Sequence, residues 1–368
     1  MSSRYDIVVV GLTLSSSWGN GHATTFRSLL KGLDALGRRV LFLERQKPWY
    51  AAHRDLPDPD FCTLAFYDEV EDLAARFGDD LAGAGAVLVG SYVPDGVEVI
   101  DRLFRIAPRR VSFYDIDTPV TLARLERGEE EYLSASQIPQ FHTYFSFTGG
   151  PTLTRLEEQF GAARAAALYC SVEPERYRHT GAAARWDLGY LGTYSADRQP
   201  TLERLLLEPA RRLPEKRFVV AGPQYPSDID WPDNVERIDH LPPAEHADFY
   251  SRQRFTLNVT RADMIAAGWS PSVRLFEAAS VGTPIVSDHW KGLDELLPEG
   301  EAIVIARDPG DVVALLADAD EERHRGLAQA ARQIVMEKHT GTARAMELLA
   351  ALEGPAFASL SSTRAGAA

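Results

Sequence analysis

Short apolar runs that stop at glycine, each followed by a polar loop and then by a helical spacing of apolar residues, recur along this chain. Tyr5–Val10 is a β-branched run closing at Gly11, the pattern of a strand buried on both faces of a parallel sheet. A mainly polar stretch follows over 13–22. From Thr24 to Leu36 apolar residues fall at 26, 29, 30, 33 and 36, one face of a helix that Gly37 ends. Arg39–Leu43 reads as the next strand, which completes a right-handed βαβ unit. The alternation continues through a strand at Ala86–Val89, a helix over Gly96–Ile106, strands at Arg110–Tyr114 and Tyr144–Phe147, a helix near Pro151–Phe160 and a last strand at Leu168–Cys170. This half is expected to be a doubly wound α/β domain.

The pattern then breaks and restarts. Around 172–186, Glu173-Pro174-Glu175 and the alanines at 182–184 weaken any regular spacing. Beyond them, strands are expected at Asp187–Leu191, Arg217–Ala221, Val235–Ile238, Phe255–Val259, Pro284–Ser287 and Ala302–Ile305, with helices at Thr201–Arg212 and Ser272–Ser280. After Pro309 helical spacing runs to Glu353, and an Ala-, Ser- and Thr-rich tail without periodicity follows. The expected organisation is a first domain over 1–172, a second over 185–335, a terminal helix over 336–353 and a disordered tail over 354–368.

Charge and composition narrow the function classes. A net charge of −14 argues against a nucleic-acid partner. No apolar stretch approaches the roughly 18 residues of a membrane span, and the run Ile7–Val10 is too short for a secretory signal. A cytoplasmic protein is expected, with membrane contact not required and the oligomeric state open. Cys62 and Cys170 stand far apart without a metal-binding spacing, and two buried free thiols are expected, with a lone disulfide as the alternative. His240 and His289 lack the spacing of a zinc site, and no metal is expected.

Open α/β sheets place ligands at the carboxyl ends of their strands. In the second half these ends carry Gly192-Thr193-Tyr194, Gly222-Pro223, His240-Leu241, Thr260-Arg261 and Asp288-His289. Glycine there lets backbone approach a phosphate, and a following helix start offers free N–H groups; the alternative is that these glycines only make tight turns. Segment 271–288 is more specific. Pro271 and Ser272 suit a helix start, and Arg274 in the first turn opposes the helix dipole, which makes sense if it binds an anion such as a diphosphate. Glu277, among Leu275, Phe276, Ala278 and Ala279, is expected to be partly buried and to need donors such as ribose hydroxyls. The alternative is an Arg274–Glu277 ion pair at i,i+3.

In the first half, the stretch from Ser15 through Trp18, Gly19, Asn20 and Gly21 to His22 is expected to be a flexible loop opening a helix, able to form an anion-binding turn. His22 is a candidate base or a hydrogen-bonding partner of a transferred sugar, with a capping or core role as the alternative. The loop does not fit GxGxxG, which disfavours a dinucleotide site. Asp115 and Asp117 alternate at a strand end, so at most one faces the site. Asp117, before Thr118-Pro119, reads equally as a base or as a helix N-cap.

The run Arg274-x-Phe-Glu-Ala-Ala-x-x-Gly-Thr-Pro-Ile-Val-Ser-Asp288 resembles the donor-binding motif of GT-B-fold glycosyltransferases, and it looks most like the family-4-related branch known for the spore maturation protein CgeB. The resemblance spans roughly 185–350. It implies two Rossmann-like domains facing each other across a cleft, the first for an acceptor and the second for a nucleotide sugar, with the last helix crossing back to the first domain. By the same resemblance Glu277 would hold the nucleotide ribose, Arg274 with Gly192 and Thr193 would face the diphosphate, and the loop after His240 would meet the base. Tyr194, Gly222, Pro223, Leu241, Arg261, Ser270 and Ser272 would complete the donor side. Trp18, Gly19, Asn20, Gly21 and Asp115 would lie on the acceptor or sugar side, with His22 and Asp117 as catalytic candidates. Family-4 enzymes usually carry a second Glu eight positions before the ribose Glu; that position here is Trp269, which leaves sugar recognition and stereochemistry open. The expected activity is metal-independent and cofactor-free transfer from a nucleotide-diphosphate sugar to an acceptor. A nucleotide-sugar epimerase on the same fold and a non-catalytic GT-B binding module are the alternatives.

Overall fold

The computed structural model describes residues 4–17 and 21–352, and the expected tail over 354–368 lies outside them. The chain divides into two units, one formed by the residues up to Ser171 together with those from Gly341 on, the other by Val172–Thr340.

The first unit holds seven parallel strands: β1 (Ile7–Gly11), β2 (Val40–Arg45), β3 (Thr63–Tyr67), β4 (Ala86–Gly90), β5 (Val111–Asp115), β6 (Tyr144–Ser146) and β7 (Ala165–Ala167). Their order is β3-β2-β1-β4-β5-β6-β7, so the direction of winding reverses between β1 and β4. Val8 pairs with Leu41 on one side and Val87 on the other. Successive residues of a strand face opposite ways, and here both faces are covered. Val8, Val10 and Val87 join Ile100 and Leu103 in one core, while Ile7, Val9 and Leu88 join Phe26, Leu29 and Leu348 in the other. That double burial is why β1 and β4 are uninterrupted apolar runs.

Two strands depart from the sequence reading. β3 was not anticipated; it lies at the sheet edge and is only partly buried, so its residues carry no continuous apolar signal. The last strand is Ala165–Ala167, three residues before the expected Leu168–Cys170. Three alanines carry little strand propensity, and pairing with Tyr144–Ser146 places them there.

The terminal helical segment is two helices where one was expected over 336–353. Glu321–Lys338 ends in the second unit, Thr340 makes a parallel bridge with Val172, and a new helix, Gly341–Leu352, starts in the first. It packs on the helix His22–Ala35 at a close crossing of Gly32 and Gly341. A Cβ added to Gly341 would run into the Ser28 carbonyl, and one added to Gly32 into the Gly341 carbonyl.

The second unit holds β8 (Trp186–Leu191), β9 (Phe218–Ala221), β10 (Val235–Ile238), β11 (Gln253–Asn258), β12 (Ile285–Ser287) and β13 (Val304–Ile305), all parallel, in the order β10-β9-β8-β11-β12-β13. The helical run Gln199–Arg212 contains a π-type turn at Glu203–Leu207 just ahead of Pro209. Proline cannot donate the regular helical bond and its ring crowds the preceding turn, so the local widening has a steric cause. Neither Cys62 nor Cys170 is in a disulfide; Cys170 is buried, whereas Cys62, expected to be buried, is half-buried, and burial pushes its pKa up to about 12. Among the described residues no helix is long and apolar enough to cross a membrane.

The Gly32–Gly341 crossing gives a direct test. Gly341→Ala should destabilise the protein by about 1–3 kcal/mol in chemical denaturation, because the methyl meets backbone that cannot rotate away. Gly78→Ala, where a Cβ meets nothing within 4 Å, should stay within about 0.5 kcal/mol or gain slightly.

Candidate functional site

In the second unit the strand order reverses between β8 and β11, and the connections that leave these strands gather at one end of the sheet. The helix Val273–Val281 begins there. Ser272 caps it, its Oγ accepting from the Arg274 amide at 3.3 Å. The Arg274 guanidinium is buried and donates from Nε to the Leu191 carbonyl at 2.6 Å, and from Nη1 to Asn258 Oδ1 at 3.0 Å and Ser272 Oγ at 3.4 Å. It lies over the Tyr190 ring, 5.0 Å from the centroid. Every oxygen it hydrogen-bonds is neutral; the buried Asp288 carboxylate feels its charge but is held by Thr260 and makes no ion pair with it. Asn258 is itself fixed: its Nδ2 donates to Ser287 and Thr260, and Thr260 donates to the Asp288 carboxylate from both Oγ1 and its amide.

A second guanidinium stands nearby. Arg198 donates from Nη2 to the Thr193 carbonyl at 2.6 Å, while its Nε is buried without a partner. Burial lowers its pKa, and the charges of Arg274 and Arg261 push the same way. Arg261 is exposed and pairs with Asp197 at 3.8 Å. Among the described residues Arg198 and Arg274 form no ion pair, so two cations meet beside the Gly192-Thr193 turn without an acid in direct contact. Such a pair is a ready anion site.

Glu277 does not pair with Arg274, which overturns the i,i+3 alternative. Its buried carboxylate accepts from the Tyr250 hydroxyl at 3.1 Å and from the Tyr177 hydroxyl. Two phenols leave lone pairs to spare on a carboxylate that can accept about four hydrogen bonds. His246 adjoins this group, with Nδ1 3.5 Å from the Tyr177 hydroxyl and its pKa lowered by burial.

The glycines serve packing rather than phosphate donation. The Gly192 amide donates to the Ala221 carbonyl at 2.8 Å, and the Gly222 amide to the Ile238 carbonyl at 2.8 Å, so neither is free. Gly222 has a φ of 137°, and a Cβ on it would strike the Gly192 carbonyl. Both glycines let two strand-end turns lie in contact. The Tyr194 amide donates to the Pro223 carbonyl at 3.0 Å. Ser270 is buried, Leu241 half-buried and His240 exposed. Trp269 has a left-handed φ of 40°, its indole N–H donates to Glu295 at 2.8 Å, and its ring lies against Gly292.

In the first unit His22 opens the helix His22–Ala35, with Gly21 exposed at the N-cap position. Its ring meets Tyr92 edge-on at 5.3 Å, its Nδ1 is buried without a partner, and burial holds its pKa down to about 4. It is therefore neutral at pH 7. Tyr92 donates its hydroxyl to Asp117 at 3.1 Å; the Asp117 side chain makes no helix-capping bond. Asp115, expected on the acceptor or sugar side, is enclosed within the first unit. It is fully buried, accepting from Tyr144 at 2.6 Å, Thr121 at 2.8 Å and the Asp117 amide at 3.1 Å, and burial raises its pKa to about 6. Trp18, Gly19 and Asn20 lie outside the described residues. The start of their loop is tied down where flexibility was expected. The buried Glu44 carboxylate accepts from the Leu14 and Ser15 amides at 2.7 and 2.9 Å, and Asp55 holds Ser17. A buried carboxylate requires such donors.

Residues 198–350 match a family model described as "Glycosyl transferase-like". No curated protein matches the sequence. Among solved structures, sucrose-phosphate synthase from Thermosynechococcus elongatus superposes with a TM-score of 0.65 at 13% identity, over 94% of this chain and 98% of that one. Anabaena HepE in complex with UDP and glucose gives 0.64 at 10% identity, over 95% and 99%. Trehalose-6-phosphate synthase OtsA gives 0.65 at 11% identity, over 94% and 98%. The fold is GT-B.

Within the GT-B second unit, the residues that sequence reasoning missed are those reaching the site from distant segments: Arg198, Asn258, Tyr177, Tyr250 and His246. Arg198 alone left a local trace, as an arginine placed where a helix starts after a glycine turn.

Asp115 generates a pH prediction. The folded carboxyl keeps its proton up to about 6, whereas the ordinary value is 3.8. Folding therefore takes up a proton between these values, and stability from this group falls as pH rises through that window, the loss being complete above it. Denaturation series from pH 4 to 7 should show this fall in the native chain and a shallower one in Asp115→Asn. Equal slopes would show that Asp115 ionises normally.

Proposed function

We propose that this chain is a glycosyltransferase that takes its sugar from a nucleotide-diphosphate donor. The observation that carries the reading is the pair Arg198 and Arg274 beside the Gly192-Thr193 turn, without an acid in direct contact among the described residues and one helical turn from the buried carboxylate of Glu277. A diphosphate supplies the missing negative charge, and a ribose diol supplies donors to the lone pairs that Tyr177 and Tyr250 leave free. The match of 198–350 to a glycosyl transferase-like family supports the reading, as do the GT-B neighbours that hold UDP, UDP with glucose, or UDP-glucose.

In this reading the two guanidiniums stabilise charge that develops on the leaving diphosphate, a task that a divalent cation performs elsewhere. Their preorganisation comes from neutral partners: because Leu191, Asn258 and Ser272 fix Arg274 without neutralising it, its full charge is available as the sugar–phosphate bond breaks. His22, neutral above about pH 4, is available on the first unit as a hydrogen-bond acceptor for a sugar or acceptor hydroxyl. The finer CgeB-like assignment rests on the motif over 271–288 alone.

Calorimetric titration with UDP, GDP, TDP and CDP, and with the matching nucleosides, tests the reading. One diphosphate should bind. Arg274→Ala should weaken that diphosphate by about 1.5–3 kcal/mol, the usual worth of a charge-assisted hydrogen bond, and leave its nucleoside nearly unchanged. Glu277→Gln should weaken both. Absence of binding by all four diphosphates, or equal losses of nucleoside and diphosphate in Arg274→Ala, would contradict the assignment.

A further inference from the structure

The first unit carries a cavity of about 430 Å³ where its own strand order reverses, lined by Leu12 after β1, by Lys47, Trp49 and Tyr50 after β2, by Tyr92 and Asp95 after β4, and by Tyr132. Its volume is that of a small-molecule site. We propose that this cavity is the acceptor site and that it is built for a carbohydrate ring bearing one anionic substituent, a phosphate or a carboxylate. The proposal rests on the glycosyltransferase reading above and adds the class of acceptor to it.

Three observations carry it. The first is the wall. Trp49, half exposed on the short helix Pro48–Ala51, presents a flat apolar face, and three tyrosines supply amphipathic surface around it. Such a mixture suits a ring with an apolar face and a polar rim. A purely apolar acceptor would strip water from the Lys47 ammonium without giving it a counterion.

The second is charge. Asp95 and Glu131, the two acids lining the cavity, are already paired with Arg45 and Arg124. Lys47 is the lining cation, and among the described residues it forms no ion pair. Its ammonium lies 5.8 Å from the centre of the Trp49 ring, so a ring stacked on Trp49 brings its substituent within reach of the charge. Arg45 is shared between Asp95 and Glu69, so it has no charge to spare for a ligand, and Lys47 is the lining cation left to meet an anion.

The third is strain. Tyr92 and Asp95 hold left-handed φ values of 62° and 54°. Non-glycine residues avoid this region unless the surroundings impose it, and such outliers gather at ligand sites. Five such residues occur among the described ones: Tyr92, Asp95 and Gln224 lie in loops that leave strands, whereas Arg109 and Trp269 follow helices. In the first unit the two that leave a strand both line this cavity. The Tyr92 conformation also directs its hydroxyl to Asp117, which joins the cavity wall to the candidate base.

Calorimetric or saturation-transfer titration of the full chain with glucose 6-phosphate, glucuronate, glucose and inorganic phosphate tests this, with UDP titrated separately. One of the two anionic sugars should bind at least ten-fold tighter than glucose and than phosphate, and which one does so identifies the substituent. Lys47→Gln should abolish the preference over glucose, and Trp49→Ala should weaken every sugar, both with UDP affinity unchanged. The proposal is overturned if glucose binds as well as both anionic sugars, if phosphate alone accounts for the binding, if the preference survives Lys47→Gln, or if no sugar binds. Failure of UDP, GDP, TDP and CDP alike to bind would count against the donor reading, whereas loss of sugar binding with diphosphate binding retained counts against this cavity alone.

Discussion

Arg274 is 8% exposed yet donates only to carbonyl, amide and hydroxyl oxygens. A guanidinium withdrawn from water without a carboxylate beside it is costly unless something else supplies negative charge. Much of the second unit's local structure follows from keeping it so. The carboxyl end of β8 offers the Leu191 carbonyl, β11 offers Asn258, and the Asn258–Thr260–Asp288 network keeps that amide from turning away. Gly192 has no Cβ, because a side chain there would crowd Tyr190 and the Arg274 guanidinium. Gly222 has none because the neighbouring turn presses against it. The helix start brings Arg274 to the strand ends, and Glu277 lies one turn further along the same helix.

The first unit manages charge differently. Its two interior carboxylates are each satisfied from within: Glu44 by the amides of the loop after β1, Asp115 by Tyr144, Thr121 and the Asp117 amide. Neither is available to a ligand. What remains at its strand ends is neutral His22, the Tyr92–Asp117 pair and the unpaired Lys47 beside Trp49. Among the described residues one unit thus offers two arginines outside ion pairs and a buried carboxylate held by phenols, the other an aromatic wall beside Lys47.

Legibility in the sequence followed burial and locality. β4 and the helix Gly96–Ile106 could be read to within a residue and β1 to within two, because burial on both faces or on one helical stripe leaves an unbroken pattern. β3 escaped because an edge strand is half exposed, and β7 was displaced because three alanines carry less signal than the Leu-Tyr-Cys that follows. At the site, Ser272, Arg274 and Glu277 were legible because helix-start chemistry is local. The partners of Glu277 come from residues 177 and 250, and those of Arg274 from 191 and 258. No spacing rule links such positions. Asp115 misled for a related reason: a carboxylate at a strand end suggests a site until the tyrosine and threonine that enclose it are seen.

The most direct measurement is a crystal structure of the full chain with UDP bound. Diphosphate oxygens should lie within hydrogen-bonding distance of Arg274 Nη2 and of Arg198, with ribose hydroxyls donating to Glu277 between Tyr177 and Tyr250. A diphosphate bound away from both arginines, or a ribose remote from Glu277, would contradict the donor reading.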